Sequence, residues 1–387
     1  MYEPADRSTP NPAFLWPAFA AATASNMAAA VAKHFTGLAM GTDGPAAPSP
    51  KWTTPNRIAL ELKSVRLREF STATKSATVG SPPALLVAPY ALHSAVISDL
   101  ATDHSLVGAL RDAGLTRLFL TDWQSSTADM RFLGIDDYLA ELNVLVDQMG
   151  PPVDLIGLCQ GGWISTIYTA RFPEKVRRLV LAAAPIDIGA APSPLSTLAE
   201  ASPLAAFEEL VGLGDGLVPG RKVLKFWVPK ILEAEDIGEL LQTEAEIDSD
   251  AFAGLEAAFR AWYAYTLDLP GVFFLETVER LYKRNELASG SFSALGRRID
   301  LASVRAPLFL IAARDDELVA PQQLFAAEHL VGTAADDICK ITAPCRHLGL
   351  FMGRKALMNV WPGVVRWLKS PQVDHDRGHP RLQHAIE

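Results

Sequence analysis

Apolar and polar positions alternate with two different periods along this chain, and the change of period marks out its parts. Ile58, Leu60 and Leu62 alternate with other residues, and Val65 and Leu67 alternate with Arg66 and Arg68, which predicts a hairpin-like edge. Ala84 to Ala88 is apolar throughout, as a strand buried on both faces should be, and ends at Pro89-Tyr90-Ala91-Leu92-His93. Leu118 to Leu120 predicts the next strand, ending at Thr121-Asp122-Trp123. From Ile135 to Met149 the period becomes helical, with Leu139, Leu142, Val146 and Met149 on one face, and this helix delivers the chain to the run Val153 to Leu158. Leu179 to Ala183 and Pro307 to Ala312 are further buried-strand runs, and Ile341-Thr342-Ala343-Pro344 leads to a late loop. Strands alternating with helices predict an α/β fold, a mostly parallel sheet with helices on both faces and active residues at the strands' C-terminal ends.

Between about Ile188 and Gly290 the strand pattern vanishes. Helical periodicity runs from Leu224 to Leu232, passes an acidic stretch from Glu233 to Glu246, and returns from Phe252 to Tyr265. A helical insertion here is expected to cap the site, shape an apolar entrance and exclude water. Trp262, Tyr263, Phe273 and Phe274 read as packing within it rather than as substrate contacts. The expected organisation is an N-terminal helical segment and linker (1–55), a first core part (56–188), the cap (189–290), a second core part (291–369) and a polar tail (370–387). The return to the sheet is expected at Gly296-Arg297-Arg298-Ile299-Asp300.

The length of 387 residues suits a core with a large insertion, and the net charge of −9 disfavours nucleic acid as a partner. Three cysteines form no small-scaffold framework, which argues for a reducing compartment and a cytoplasmic location. His375 and His379 have the one metal-like spacing, but Gly378 and Pro380 oppose a helix there, so the pair reads as solvated and no metal is expected. The apolar stretch from Phe14 to Met40 lacks a basic start and is broken by Ser25, Asn26, Lys33 and His34. It reads as a helix packed on the body, neither signal nor span, with an amphipathic surface-binding segment as the alternative.

Candidate chemistry centres on Gly157-Leu158-Cys159-Gln160-Gly161. A reactive side chain flanked by small residues at ±2, between a buried strand and a helix, is the nucleophile elbow of an α/β-hydrolase fold. Cys159 is then the nucleophile, and the Gln160 N–H at the helix start belongs to an oxyanion hole, completed by the N–H of Ala91 or Leu92. The fold brings its partners in the order acid, then base. Asp316 at the end of the Pro307 run is the expected acid, with Asp315 in reserve, and His347 is the expected base. His347 would take the Cys159 proton and return it to the leaving group, while Asp316 fixes the tautomer. Cys339 and Cys345 lack a glycine elbow and read as small fillers, Cys345 with some redox sensitivity. His93, Asp122 and Trp123 stand at strand ends where they are expected to line the site, with capping and packing as the alternative for Asp122 and Trp123.

Several motifs together resemble intracellular polyhydroxyalkanoate (PHB-type) depolymerases: Leu267-Asp268-Leu269-Pro270, Phe274-Leu275-Glu276-Thr277-Val278, Gly296-Arg297-Arg298-Ile299-Asp300 and His347-Leu348-Gly349-Leu350-Phe351-Met352-Gly353. Ala88-Pro89 with His93, Thr121-Asp122-Trp123 and Pro185-Ile186-Asp187 add to the likeness. The resemblance implies an α/β-hydrolase core with a Cys-Asp-His triad that hydrolyses or thiolyses polyester bonds inside the cell, at or near a polymer granule. The Gly161-Gly162 pair after Gln160 is instead similar to polyhydroxyalkanoate synthases, which share the triad and consume hydroxyacyl-CoA. A synthase is therefore the alternative, and a non-catalytic granule-associated protein the second. No cofactor is implied beyond CoA as acyl acceptor or substrate carrier, and the oligomeric state is left open.

Overall fold

The computed structural model describes residues 47–72, 81–227, 234–243 and 248–371. The helix and the first part of the linker expected in the N-terminal segment, the end of the helical run from Leu224 to Leu232, parts of the acidic stretch from Glu233 to Glu246, and the histidines of the polar tail lie outside these residues.

Eight strands form one sheet: β1 (Arg57–Glu61), β2 (Val65–Glu69), β3 (Ala84–Val87), β4 (Leu118–Trp123), β5 (Val153–Leu158), β6 (Val176–Ala182), β7 (Leu308–Ala313) and β8 (Ile338–Ala343). Their spatial order is β1-β2-β4-β3-β5-β6-β7-β8. β1 and β2 pair antiparallel, β2 runs antiparallel to β4, and every pair from β4 to β8 is parallel. Every residue of β3, β4, β5 and β7 is buried, as expected of strands covered on both faces. The outermost β8 keeps only Ala343 fully buried.

Strand order decides where a ligand goes. From β3 the chain moves to one side to make β4, then returns to the other side to make β5, so a crevice opens beyond the C-terminal ends of β3 and β5. Two helices frame it: α1 (Ile135–Met149), whose buried face carries Leu139, Leu142, Val146 and Met149, and α2 (Gln160–Arg171), which starts at the crevice. α2 is buried from Gly161 to Thr169, and its serine and threonine hydroxyls are satisfied within the helix. Ser165, Thr166 and Thr169 donate to the carbonyls of Gly161, Gly162 and Ser165 at 2.7, 2.9 and 2.7 Å.

Between β6 and β7 the chain is mainly helical, at Pro194–Ala201, Leu204–Leu213, Gly220–Trp227, Ala234–Leu240, Ser249–Ala264 and Gly271–Glu276. The Gly271–Glu276 helix runs on into a π-helical turn over Thr277–Lys283. Phe273 fixes this region to the core, its ring 4.7 Å from Tyr138 and 5.2 Å from Tyr90. The expected return to the sheet at 296–300 is corrected: Arg297–Arg298 pairs with Ser293–Ala294 in a separate small hairpin, and the main sheet resumes only at Leu308. Among the described residues no helix is long and apolar enough to cross a membrane.

Candidate active site

β5 ends in a turn that forces Cys159 into φ 47° and ψ −115°, a conformation costing a non-glycine residue about 1–3 kcal/mol. Its neighbours explain the glycines. A Cβ on Gly161 would stand 2.0 Å from the Val87 carbonyl oxygen, and one on Gly162 would stand 2.3 Å from the Ala184 Cβ. A Cβ on Gly157 would meet the Gly162 Cα at 2.6 Å. Close approach of α2 to the ends of β3 and β6 therefore requires these glycines. The turn is held by Cys159 N–H donating to the Ala182 carbonyl at 2.9 Å and Gly162 N–H donating to the Cys159 carbonyl at 2.8 Å. Gln160 opens α2, where a main-chain N–H has no partner within the helix and the dipole favours negative charge.

Asp316, Cys159 and His347, far apart in sequence, meet here. His347 lies beyond β8 with its side chain 2% exposed, and Nδ1 sits 2.8 Å from Asp316 Oδ2 and 2.9 Å from Oδ1. The Asp316 carboxylate also accepts from the N–H groups of Leu318 and Val319 at 2.9 and 2.8 Å, so its direction is set by its own loop. Burial disfavours the His347 imidazolium, but the Asp316 charge, the Cys159 charge and the hydrogen bonds to both outweigh it. The net effect holds the imidazole well above its ordinary pKa. The reserve acid, Asp315, is 59% exposed and faces Arg314 at 3.4 Å. Cys345 is buried, its thiol pushed up to about 12 by burial and then by the Asp316 charge, which keeps it protonated.

Three contributors were not anticipated from the sequence. Glu317 accepts from the His347 main-chain N–H at 3.1 Å and so anchors the histidine loop. Trp163 Nε1 donates to Gln160 Oε1, which leaves Gln160 Nε2 to donate to the Tyr282 hydroxyl at 3.1 Å. Because an indole N–H only donates, the amide orientation is determined and the Tyr282 proton remains free to point elsewhere. Tyr282 lies in the π-helical turn, a distortion that often marks functional sites. Burial and then the neighbouring Cys159 raise its hydroxyl above the ordinary range, so it stays a donor.

These groups open onto a cavity of about 230 Å³ lined by Cys159, Gln160, Ala91, Leu92, His93, Tyr282 and His347 together with many apolar side chains. Ala91 and Leu92 thus line the same cavity as Cys159. Two expectations are corrected. Asp122 and Trp123 are not among the lining residues: Asp122 pairs with Arg68 at 2.7 Å across the β2–β4 ladder, and Trp123 Nε1 donates to the Ala88 carbonyl at 2.8 Å behind the β3 turn. Conversely Trp262, Tyr263, Phe273 and Phe274, expected only to pack, all line the cavity.

The strand order, the strained elbow at the topological switch and the loops after β7 and β8 together define an α/β-hydrolase fold. Residues 116–215 match the family described as alpha/beta hydrolase fold, and residues 234–372 match the one described as PHB de-polymerase C-terminus. Similar full-length proteins include three with the name Poly(3-hydroxyalkanoate) polymerase subunit PhaC. That of Haloferax mediterranei is 26% identical, over 81% of this chain and 63% of its own length. That of Synechocystis sp. is 28% identical, over 75% of this chain and 78% of its own. That of Allochromatium vinosum is 25% identical, over 76% of this chain and 83% of its own. This chain therefore spans less than two thirds of the Haloferax protein. The depolymerase likeness is carried by the C-terminal match, whereas these longer alignments run to polymerases.

Proposed function

We propose that this protein is an acyltransferase that builds poly(3-hydroxyalkanoate) from 3-hydroxyacyl-CoA, with Cys159 as nucleophile, His347 as base and acid, and Asp316 as its orienting partner. The observation that carries this reading is the similarity to polymerases over about three quarters of the chain, 75% for the Synechocystis protein, with a cysteine at the elbow. Sulfur suits that chemistry. An acyl group arriving as a thioester passes to another thioester with little change in bond energy, and the later transfer to oxygen runs downhill.

In the first step Cys159 sulfur attacks the thioester carbonyl while His347 takes the thiol proton. The oxyanion is held by the Gln160 N–H and the turn at Ala91-Leu92. The carbon–sulfur bond to CoA breaks, and the departing thiol takes the proton from His347. In the second step a hydroxyl attacks the acyl-Cys159 thioester and passes its proton to His347. An ester forms, the bond to Cys159 breaks, and the thiol recovers its proton. The apolar lining supports this reading because it disfavours water as the competing acceptor.

A second reading, hydrolysis or thiolysis of the polyester by the same three residues, is favoured by the depolymerase match over 234–372. Purified protein assayed side by side with 3-hydroxybutyryl-CoA and with amorphous polyhydroxybutyrate granules separates them. Free CoA with growing polymer, lost in Cys159→Ala, is the expected result. Soluble acids released from granules without CoA turnover would replace synthesis by degradation.

A further inference from the structure

Most polar groups on the largely apolar cavity wall are spoken for. Thr277 Oγ1 donates to the Phe273 carbonyl at 2.8 Å, and Trp262 Nε1 donates to the Ser94 carbonyl at 3.1 Å. His93 Nδ1 and Ser94 Oγ have no hydrogen-bond partner, but both atoms are fully buried and closed off from the cavity. Tyr282 differs. Its oxygen accepts from Gln160 Nε2 at 3.1 Å, an amide whose orientation Trp163 fixes, so one lone pair is engaged and the hydroxyl sends its own proton elsewhere. That proton meets no acceptor among the described residues.

The hydroxyl is held firmly in place. The π-helical turn that carries it is tied down on both sides: Lys283 Nζ donates to the Ala199 and Ser202 carbonyls at 2.7 and 2.6 Å, and Asn285 Nδ2 donates to Asp187 Oδ1 at 2.7 Å. Burial and then the Cys159 charge raise the Tyr282 hydroxyl above its ordinary value, whereas burial alone acts on Tyr263, the other tyrosine of the wall whose hydroxyl has no partner among the described residues. Tyr282 is therefore the tyrosine that neighbours the sulfur, and Gln160 gives it a direction that Tyr263 lacks.

A buried donor without an acceptor in the protein is costly, and what enters the cavity relieves that cost. In an acyl group on Cys159 the carbonyl oxygen belongs to the Gln160 N–H and the turn at Ala91-Leu92. The next oxygen along the chain is the one on carbon 3. It accepts as a free hydroxyl or as an ester oxygen, and as a hydroxyl it keeps its own proton to give up when it attacks.

Resting on the acyl transfer proposed above, we infer that Tyr282 recognises the oxygen on carbon 3 of the acyl group: its hydroxyl, held by Gln160, donates to that oxygen and positions the chain over Cys159.

The test compares thiol release from 3-hydroxybutyryl-CoA and butyryl-CoA, which differ in that oxygen. Wild type should favour the hydroxylated thioester in kcat/KM, and Tyr282→Phe, which removes only the phenolic oxygen, should lower that preference about tenfold. Loss of the Gln160 partner weighs on both thioesters alike, so a merely structural role would leave the ratio unchanged and overturn the inference. Tyr263→Phe should keep the wild-type ratio; a fall there would assign the contact to Tyr263 and overturn it equally. Where Tyr282→Phe does not fold, wild type and Tyr263→Phe are compared on 3-methoxybutyryl-CoA and 3-methylpentanoyl-CoA, which match in shape and differ in an oxygen that only accepts. Both proteins should favour the methoxy compound, and equal kcat/KM in either would overturn the inference. Failure of the underlying acyl transfer looks different: wild type would release thiol from none of these compounds, and both proposals would fall together.

Discussion

The loop after β8 and the turn after β3 each bring a histidine to the same cavity, and their surroundings drive the two imidazoles in opposite directions. His347 faces a carboxylate and a thiol, which hold it well above its ordinary pKa in spite of burial. His93 packs against the rings of Trp262 and Tyr263 with no charged partner, and burial takes it down to about 4. The lesson is that burial alone does not assign a role. The charged partner holds a proton on His347 against burial, and its absence leaves His93 neutral.

Breaking the first half of the contrast should give the largest effect. Cys159→Ala should reduce thiol release from 3-hydroxybutyryl-CoA by about 10⁴-fold or more with thermal unfolding little changed, as loss of a nucleophile does in triads of this type. Asp316→Asn should cost about 10³- to 10⁴-fold in kcat. It should also let the His347 pKa fall, because burial would then act without the opposing carboxylate, and NMR titration of the ring would read that fall.

The helical region between β6 and β7 sets the size of the next effect. Phe273→Ala should destabilise the protein by about 3–5 kcal/mol in urea unfolding, since its ring packs against Tyr138 and Tyr90.

The two histidines also give opposite pH dependences of stability. His93 is lowered from 6.5 to about 4, so the unfolded chain binds its proton first and stability falls as the pH drops from 6.5 toward 4. That loss is of order 3 kcal/mol, and His93→Phe should flatten it in urea melts taken across that range. His347 is raised, so its contribution is fully present below its unfolded value and fades as the pH rises through the folded one. The smallest effect is expected at Glu317→Gln. Weakening the anchor at the His347 N–H should lower kcat less than about tenfold and leave the ring's titration nearly unchanged.

Much of this arrangement was legible from local pattern. The fully buried runs of β3, β5 and β7 announce covered strands, α1 has the bounds its periodicity predicts, and a cysteine between spaced glycines marks the strained turn. What escaped depends on sheet order or on long-range packing. Asp122 pairs with Arg68 because β2 runs antiparallel to β4, a neighbour relation that no local period encodes. The aromatic residues of the helical region look the same in sequence whether they fill a core or line a cavity, and Phe273 does both. Direction of reaction is hidden for a chemical reason, since the same three side chains move acyl groups either way.

The glycines around the elbow have one more consequence. At 157, 161 and 162 there is no space for even a methyl group, so this part of the scaffold cannot drift. Position 159, by contrast, opens onto the cavity. The reactive atom is therefore modular: sulfur can be exchanged for oxygen by Cys159→Ser without disturbing a neighbouring backbone atom. A lineage, or a designer, can retune the lifetime of the acyl intermediate while the architecture that presents it stays unchanged.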